Sequence, residues 1–259
     1  MERTFIMKIK IVTFNVRIDS TEGYTERFKL IKEKIAAESP DVICFQEMSE
    51  KMLKVTVRGL DEYYVVGGGR NTNRLGESVA IAFKKERFVL GNCRTKWLSP
   101  TPHVPSSQFT IDQSGCPRVS TMISLTDIES ETTFRVYNTH LDHVGKLARI
   151  KGITQIIEDI KKDDLIYPSF AILTGDLNAT PDSDVVETIK NEGGLVDVTG
   201  KFVKTFNNYG KPYRQWDADK IDYIFTSPDI VCVSSVLWDE MPDGKYMSDH
   251  FAICAELEF

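Results

Sequence analysis

Six short segments of the 259-residue chain each bring an acid, an amide or a histidine to the end of an apolar run. They are Thr13-Phe14-Asn15, Cys44-Phe45-Gln46-Glu47, Tyr137-Asn138-Thr139-His140-Leu141-Asp142, Thr174-Gly175-Asp176-Leu177-Asn178, Lys220-Ile221-Asp222-Tyr223 and Ser248-Asp249-His250. Sheet proteins gather converging groups where strands run out, because the scaffold there is rigid. The inventory is hard oxygen plus two imidazoles, with no evident nucleophilic serine or cysteine. It suits a magnesium ion, an activated water and a phosphate ester.

Magnesium keeps several waters and needs only one or two carboxylates. Glu47 directly follows an apolar strand and Asn15 ends another, so a carboxylate and an amide oxygen stand at neighbouring strand ends. Taken singly, each is more at home in an ordinary turn. Asp176 and Asn178 follow Gly175, which lets the chain turn sharply, and they share a side if the chain stays extended. Such a pair suits a base that takes a proton from water beside a donor that orients water or phosphate. The alternative is an Asx-turn that caps the helix after Pro181. His140 and His143 hint at zinc, but no third His or Cys lies at ligand spacing. An imidazole can serve a phosphoryl oxygen or a leaving alkoxide if a carboxylate holds its other nitrogen. Asp222 is a costly acid within an apolar strand, and pairing with a histidine explains it.

The elements that must position these groups follow from periodicity. Apolar runs predict strands over residues 8–15, 42–45, 63–66, 78–83, 88–90, 119–125, 134–138, 169–173, 221–226, 230–237 and 251–257. Helical spacing predicts helices over 26–38, 49–58, 146–160 and 182–191. Strands outnumber helices and do not alternate strictly with them, which favours two packed sheets with helices outside. The six segments run from residue 13 to residue 250, so one domain over 8–259 is expected, after a short extension at 1–7. Long irregular stretches at 67–76, 100–117 and 207–219 are candidates for functional loops.

Composition narrows the setting. A net charge of −6 argues against a broad polyphosphate-binding surface, though not against a local basic groove. Five cysteines give no disulfide framework; Cys44, Cys232 and Cys254 read as core thiols, Cys93 and Cys116 as loop residues. With no signal-like start and no membrane-length apolar run, a reducing cytoplasmic setting is expected. No protein partner is implied.

Together these motifs resemble the endonuclease/exonuclease/phosphatase superfamily, over nearly the whole chain. Gly175-Asp176-Leu177-Asn178 combined with Ser248-Asp249-His250 carries the likeness. The resemblance implies an α+β fold, a four-layer α/β/β/α sandwich with two mixed sheets face to face. It implies that Asn15 and Glu47 hold a catalytic Mg2+, replaceable by Mn2+, with Asp249 near it. Asp176 would activate or orient water beside Asn178, and His250 would contact the phosphoryl group, supported by Asp222. His140 would be the second imidazole, with Glu77 as its carboxylate partner. Arg118 and Arg149 resemble a bacterial subgroup, and with Asp142 they stand as substrate-binding candidates. Arg17 departs from the abasic-site endonucleases, which carry an acid at that place.

The resulting expectation is in-line attack of water on a compact phosphoester, with Arg118 gripping a second anionic group. A nuclease acting on DNA or RNA is the alternative, and a non-catalytic binding module a third reading. Nucleic acid wants basic residues along one groove with aromatics for unpaired bases. Here Arg27, Lys29, Lys32, Lys34, Lys161 and Lys162 fall on outer helices. Arg70, Arg74, Arg118, Arg214 and Lys220 fall in rim loops, and Phe206, Tyr209, Tyr213 and Trp216 in the loop before Asp222.

Overall fold

The computed structural model describes residues 6–212 and 220–259; Tyr213, Arg214 and Trp216 lie outside them. Twelve strands among the described residues form two six-stranded sheets. The first has the order β11 (Val231–Trp238), β12 (Ala252–Glu258), β1 (Lys8–Asn15), β2 (Val42–Gln46), β4 (Ile81–Lys84), β3 (Tyr63–Val66). The second runs β5 (Phe88–Trp97), β6 (Val119–Asp127), β7 (Thr133–His140), β8 (Phe170–Asp176), β10 (Asp222–Thr226), β9 (Val196–Asp197). β1 with β2 and β7 with β8 are parallel pairs, and the other pairs are antiparallel, so both sheets are mixed.

Alternation decides which residues meet. Along β1, Ile9 and Ile11 face the other sheet while Val12 and Phe14 face helices α1 (Thr21–Glu38) and α2 (Glu50–Gly59). Along β7, β8 and β10, Val136, Ile172 and Ile224 join the inter-sheet core. Tyr137, Leu173 and Tyr223 instead meet α3 (Lys146–Ile166) and α4 (Asp184–Asn191). The result is the expected four-layer α/β/β/α sandwich. Because side chains alternate with period two, Asn15, His140, Asp176 and Asp222 lie on the same inward faces as those apolar residues. They form the polar end of the inter-sheet core.

The departures from expectation have local causes. α1 starts at Thr21, earlier than residue 26, because the Ser20 side chain caps it by accepting the Gly23 N–H at 3.0 Å. β5 runs on to Trp97 as an edge strand, so Cys93 is a strand residue. Its polar stretch escapes the apolar pattern because Arg94 and Lys96 pair with Asp163 and Asp159 of α3. Regular pairing of β4 begins only at Ile81, Ser78 making isolated bridges instead.

Gly175 differs in kind from its expected role. The strand does not turn there; β8 continues to Asp176. The glycine has φ +149°, and a Cβ on it would lie 2.0 Å from the Thr139 carbonyl oxygen of β7. Close approach of two backbones, next to the residue that carries Asp176, is what excludes a side chain. Gly175→Ala should therefore lose roughly 3 kcal/mol of stability in urea unfolding. A loss within experimental error would show that β7 and β8 yield freely.

Candidate active site

Most of the predicted residues converge where the two sheets open to solvent. Asn15 ends β1 and joins the halves: its Nδ2 donates to Asp176 Oδ2 at 3.0 Å and to Glu47 Oε1 at 3.2 Å. Its Oδ1 accepts the Arg17 N–H at 3.0 Å. Glu47 follows β2 with φ 59°, a left-handed turn that aims its carboxylate back over the strand ends, where Oε2 accepts the Ile18 N–H at 2.8 Å. Ser248 fastens the last segment, its hydroxyl donating to Asn15 O at 2.7 Å.

On the second sheet, Asp176 and Asp222 face each other as a registered pair. His250 Nδ1 bonds Asp222 Oδ2 at 2.8 Å, and its Nε2 lies 3.8 Å from Asp176 Oδ2. Burial works to strip His250 of its proton. The carboxylates of Asp222, Asp176 and Asp249 outweigh it and carry the imidazolium up to about 10. His140, with Nε2 3.5 Å from Asp176 Oδ2, goes the other way. Burial, then the charges of Arg118 and His250, push it well below the usual imidazole range. Burial and the facing Asp222 raise Asp176 above the ordinary carboxyl value. One imidazole is thus cationic, the other neutral, beside a carboxylate tuned towards proton acceptance.

Asn178 makes an Asx-type turn at the end of β8. Its backbone N–H donates to Asp176 Oδ1 at 2.9 Å, with φ 46°. That turn does not cap the following helix, because Ser183 does. The side-chain amide is tied to Leu141 O at 3.0 Å.

Hard oxygen ligands gather on one side. Glu47 and Asp249 face each other across the Arg17 guanidinium, whose Nη1 is 4.0 Å from Glu47 Oε2 and Nε 3.6 Å from Asp249 Oδ2. Burial, helped by the Glu47 charge, pushes the Asp249 carboxyl up. Two acids that share one loosely held cation, with the Asn15 amide next to Glu47, fit a magnesium-class ion. Asp176, Asp222 and His250 also bring possible ligand atoms within 4.8 Å of one another. There the His250 Nδ1 is already engaged by Asp222, which makes that group an imidazole–carboxylate unit. Among the described residues His143 joins no candidate metal group, and its Nδ1 meets the Arg118 Nη2 at 2.8 Å.

Three expectations need correction. Glu77 does not bond His140; its Oε1 pairs with Arg70. The loop before it folds back, with Arg70 N on Glu77 O at 2.9 Å, and sets a permanent cation beside the carboxylate. Asp142 does not enter the cleft. Its carboxylate accepts the backbone N–H groups of Ser114, Val144 and Gly145 and the Ser114 hydroxyl, and supports Arg118 at 3.5 Å. Arg149 lies behind it, donating to Asp142 O at 2.9 Å. Arg118 itself does line the cleft.

The cleft holds about 430 Å³ and includes Arg17, Glu47, Arg70, Arg118, His140, His143, Asp176, Asp249 and His250. Phe206 stands edge-on to His250, with centroids 5.0 Å apart. Sequence reasoning placed Arg70 on the rim without a role and read His143 only as a hint of zinc. Both enter the cleft through long-range folding, which leaves no short motif. A larger groove of about 910 Å³ lies at the opposite strand ends, lined by Asp41, Lys84, Arg87 and Asp127. Those groups neutralise one another at 2.8 to 3.0 Å, leaving no reactive centre there.

The profile of the Endonuclease/Exonuclease/phosphatase family matches residues 12–250. The chain belongs to that family. It is a metal-dependent hydrolase of phosphoester bonds. Among solved structures, an endonuclease/exonuclease/phosphatase from Bacteroides vulgatus is 28% identical with a TM-score of 0.89, covering 98% of this chain and 99% of that one. A mannosyl-6-phosphatase from Bacteroides thetaiotaomicron is 25% identical with a TM-score of 0.86, covering 97% of this chain and 100% of that one. TDP2 of D. rerio, complexed with single strand DNA product, shares the fold at 18% identity and a TM-score of 0.75, over 96% of this chain and 98% of that one. Among the described residues no helix is long and apolar enough to cross a membrane.

Proposed function

We propose that this family member is a magnesium-dependent hydrolase of a compact phosphoester. One observation carries the reading: among the described residues, every arginine that lines the cleft is matched to an acid. Arg17 lies by Asp249 and Glu47, Arg70 by Glu77, and Arg118 by Asp142. Such a cleft offers directional donors to a compact anionic substrate, not the surplus positive field that a long polyanion requires. Its volume of about 430 Å³ suits a small ligand. The likeness to a mannosyl-6-phosphatase supports the same reading.

In this proposal Asn15, Glu47 and Asp249 hold the ion, for which Mn2+ can substitute. When bound, it neutralises charge on a phosphoryl oxygen and so makes phosphorus more electrophilic. Asp176 takes a proton from water as the new P–O bond forms in line with the ester bond that breaks. Asn178 keeps the Asp176 carboxylate oriented through its backbone N–H. The His250 imidazolium, locked by Asp222, meets negative charge that grows on the phosphoryl group, and neutral His140 adds a hydrogen bond. Arg118 grips a second anionic group of the substrate. Glu77, Asp142 and Arg149 hold Arg70 and Arg118 in place.

A nuclease is the second reading, favoured by Phe206 at the cleft and by the single strand DNA product held by TDP2. The deciding measurement is cleavage of phosphomonoesters, small diesters, single strands and duplex DNA across a salt series. The proposal expects a small ester to be the best substrate, with only a weak salt dependence. Efficient cleavage of a strand or duplex with a steep salt slope, while all small esters stay intact, would establish the nuclease instead.

A further inference from the structure

Beneath the cleft residues lies a second polar row, sealed from solvent. Two positions before Asn15, His140 and Asp176, and facing the same way, stand Thr13, Asn138 and Thr174, with Gln46 beside them at the end of β2. Gln46 and Asn138 are 0% exposed. Just below, the space between the sheets is lined by Ile11, Cys44, Val136 and Ile172. Two primary amides in such a place are costly unless their hydrogen bonds are made. Here most of them are made, those of Asn138 largely from sheet to sheet, while Gln46 Oε1 is left without a partner. Asn138 Nδ2, on β7, donates to Phe45 O at 2.9 Å and to Ala80 O at 3.1 Å. Its Oδ1 accepts Gln46 Nε2 at 2.8 Å and Thr174 Oγ1 at 3.3 Å. Gln46 Nε2 also reaches Thr13 Oγ1 at 3.1 Å.

We propose that Asn138 is a positioning residue for phosphoester hydrolysis: its buried hydrogen bonds clasp the two sheets and set the distance between the halves of the cleft. The division of labour gives this clasp its consequence. Asn15 and Glu47 stand at strand ends of the first sheet, and Asp249 and His250 just before β12 of that sheet. His140, Asp176 and Asp222 belong to the second. Apolar contacts between the sheets are non-directional and allow sliding, whereas the three hydrogen bonds that the Asn138 amide makes to the first sheet fix both separation and register. The contacts that cross higher up, Asn15 to Asp176 and His250 to Asp222, involve groups that carry the proposed chemistry themselves. Asn138 touches neither substrate nor ion, so its bonds persist throughout. One row below, the equivalent inward place is filled by Val136, so strand pairing by itself does not require a polar residue at this face.

The inference rests on the catalytic roles proposed above, and its test separates the two. Asn138→Leu alone strands the Gln46 and Phe45 partners and can fail to fold. The paired variant Asn138→Leu with Gln46→Met no longer strands the Gln46 amide; the Phe45 carbonyl still loses its donor, a smaller loss than that of the single variant. In that variant kcat should fall about a hundredfold with KM changed less than about threefold, as expected for a misplacement near 1 Å. Mn2+ affinity, read by calorimetry, should stay within about threefold, because the proposed ligands all come from one sheet. A crystal structure of the variant should show the Asn15–Asp176 contact, 3.0 Å in the native protein, opened. An unmoved contact, or native kcat in the folded variant, overturns the clasp. So does a loss of kcat matched by an equal loss of Mn2+ affinity, which would signal general damage. The crystal structure reads the clasp even if the native enzyme cleaves none of the small esters, an outcome that refutes only the substrate assignment.

Discussion

Asp176→Asn should lower kcat about a thousandfold while the folded protein keeps or gains thermal stability. The two halves of that expectation have one origin. Asp176 is 2% exposed and faces Asp222, and burial with that neighbouring charge already raises its carboxyl above the ordinary value. A group whose folded value is raised costs stability once pH exceeds its unfolded value, so at neutral pH an uncharged amide removes that cost. The same amide cannot accept a proton from water. His250→Ala should also cost two to three orders of magnitude in kcat, again by roughly the contribution of a single charge-stabilising donor. It is the less clean variant, because it leaves the buried Asp222 carboxylate, 1% exposed, without its partner and so lowers the thermal midpoint. The pair of measurements is steady-state turnover and calorimetric melting. Near-native turnover by Asp176→Asn with an unchanged midpoint would refute the assignment of the water-activating group.

Removing the divalent ion should abolish activity by more than about a thousandfold, since a metal ion contributes several kcal/mol of charge stabilisation. Return of Mg2+ or Mn2+ should restore it. The fold should survive chelation, because Arg17 already lies between Glu47 and Asp249 and partly offsets their repulsion. Glu47→Gln should raise the Mn2+ concentration needed for half-maximal activity by at least about tenfold, as removal of one of two carboxylate ligands implies. Undiminished hydrolysis in excess chelator would rule out the metal ligands proposed here.

Much of the site was legible because strand periodicity is local. Along residues 8–15, 134–140 and 170–176 the inward positions can be counted from the alternating apolar residues. The same count carries Asn15, His140 and Asp176 to one face at the strand ends. Asp222 was legible for another reason: an acid inside an apolar run demands a partner, and His250 at 2.8 Å supplies it. Two packed sheets with helices outside followed from strands that outnumber the helices without strict alternation, and the four-layer order was what the family resemblance implied.

What tertiary structure alone decided was the pairing of charges. Glu77 has Arg70 beside it because residues 67–76 fold back, and its expected partner His140 is held neutral by burial and by Arg118. Asp142 is spent on the backbone N–H groups of its own turn and of the distant Ser114, so it braces Arg118 and does not meet substrate. Gly175 is required by the Thr139 carbonyl of a neighbouring strand, not by a turn in its own. The physical distinction is one of range. Alternation and burial preference act between residues a few positions apart and are written along the chain. The nearest opposite charge, and the nearest backbone, depend on which distant segments the fold brings within about 4 Å, where Coulomb and steric terms become decisive.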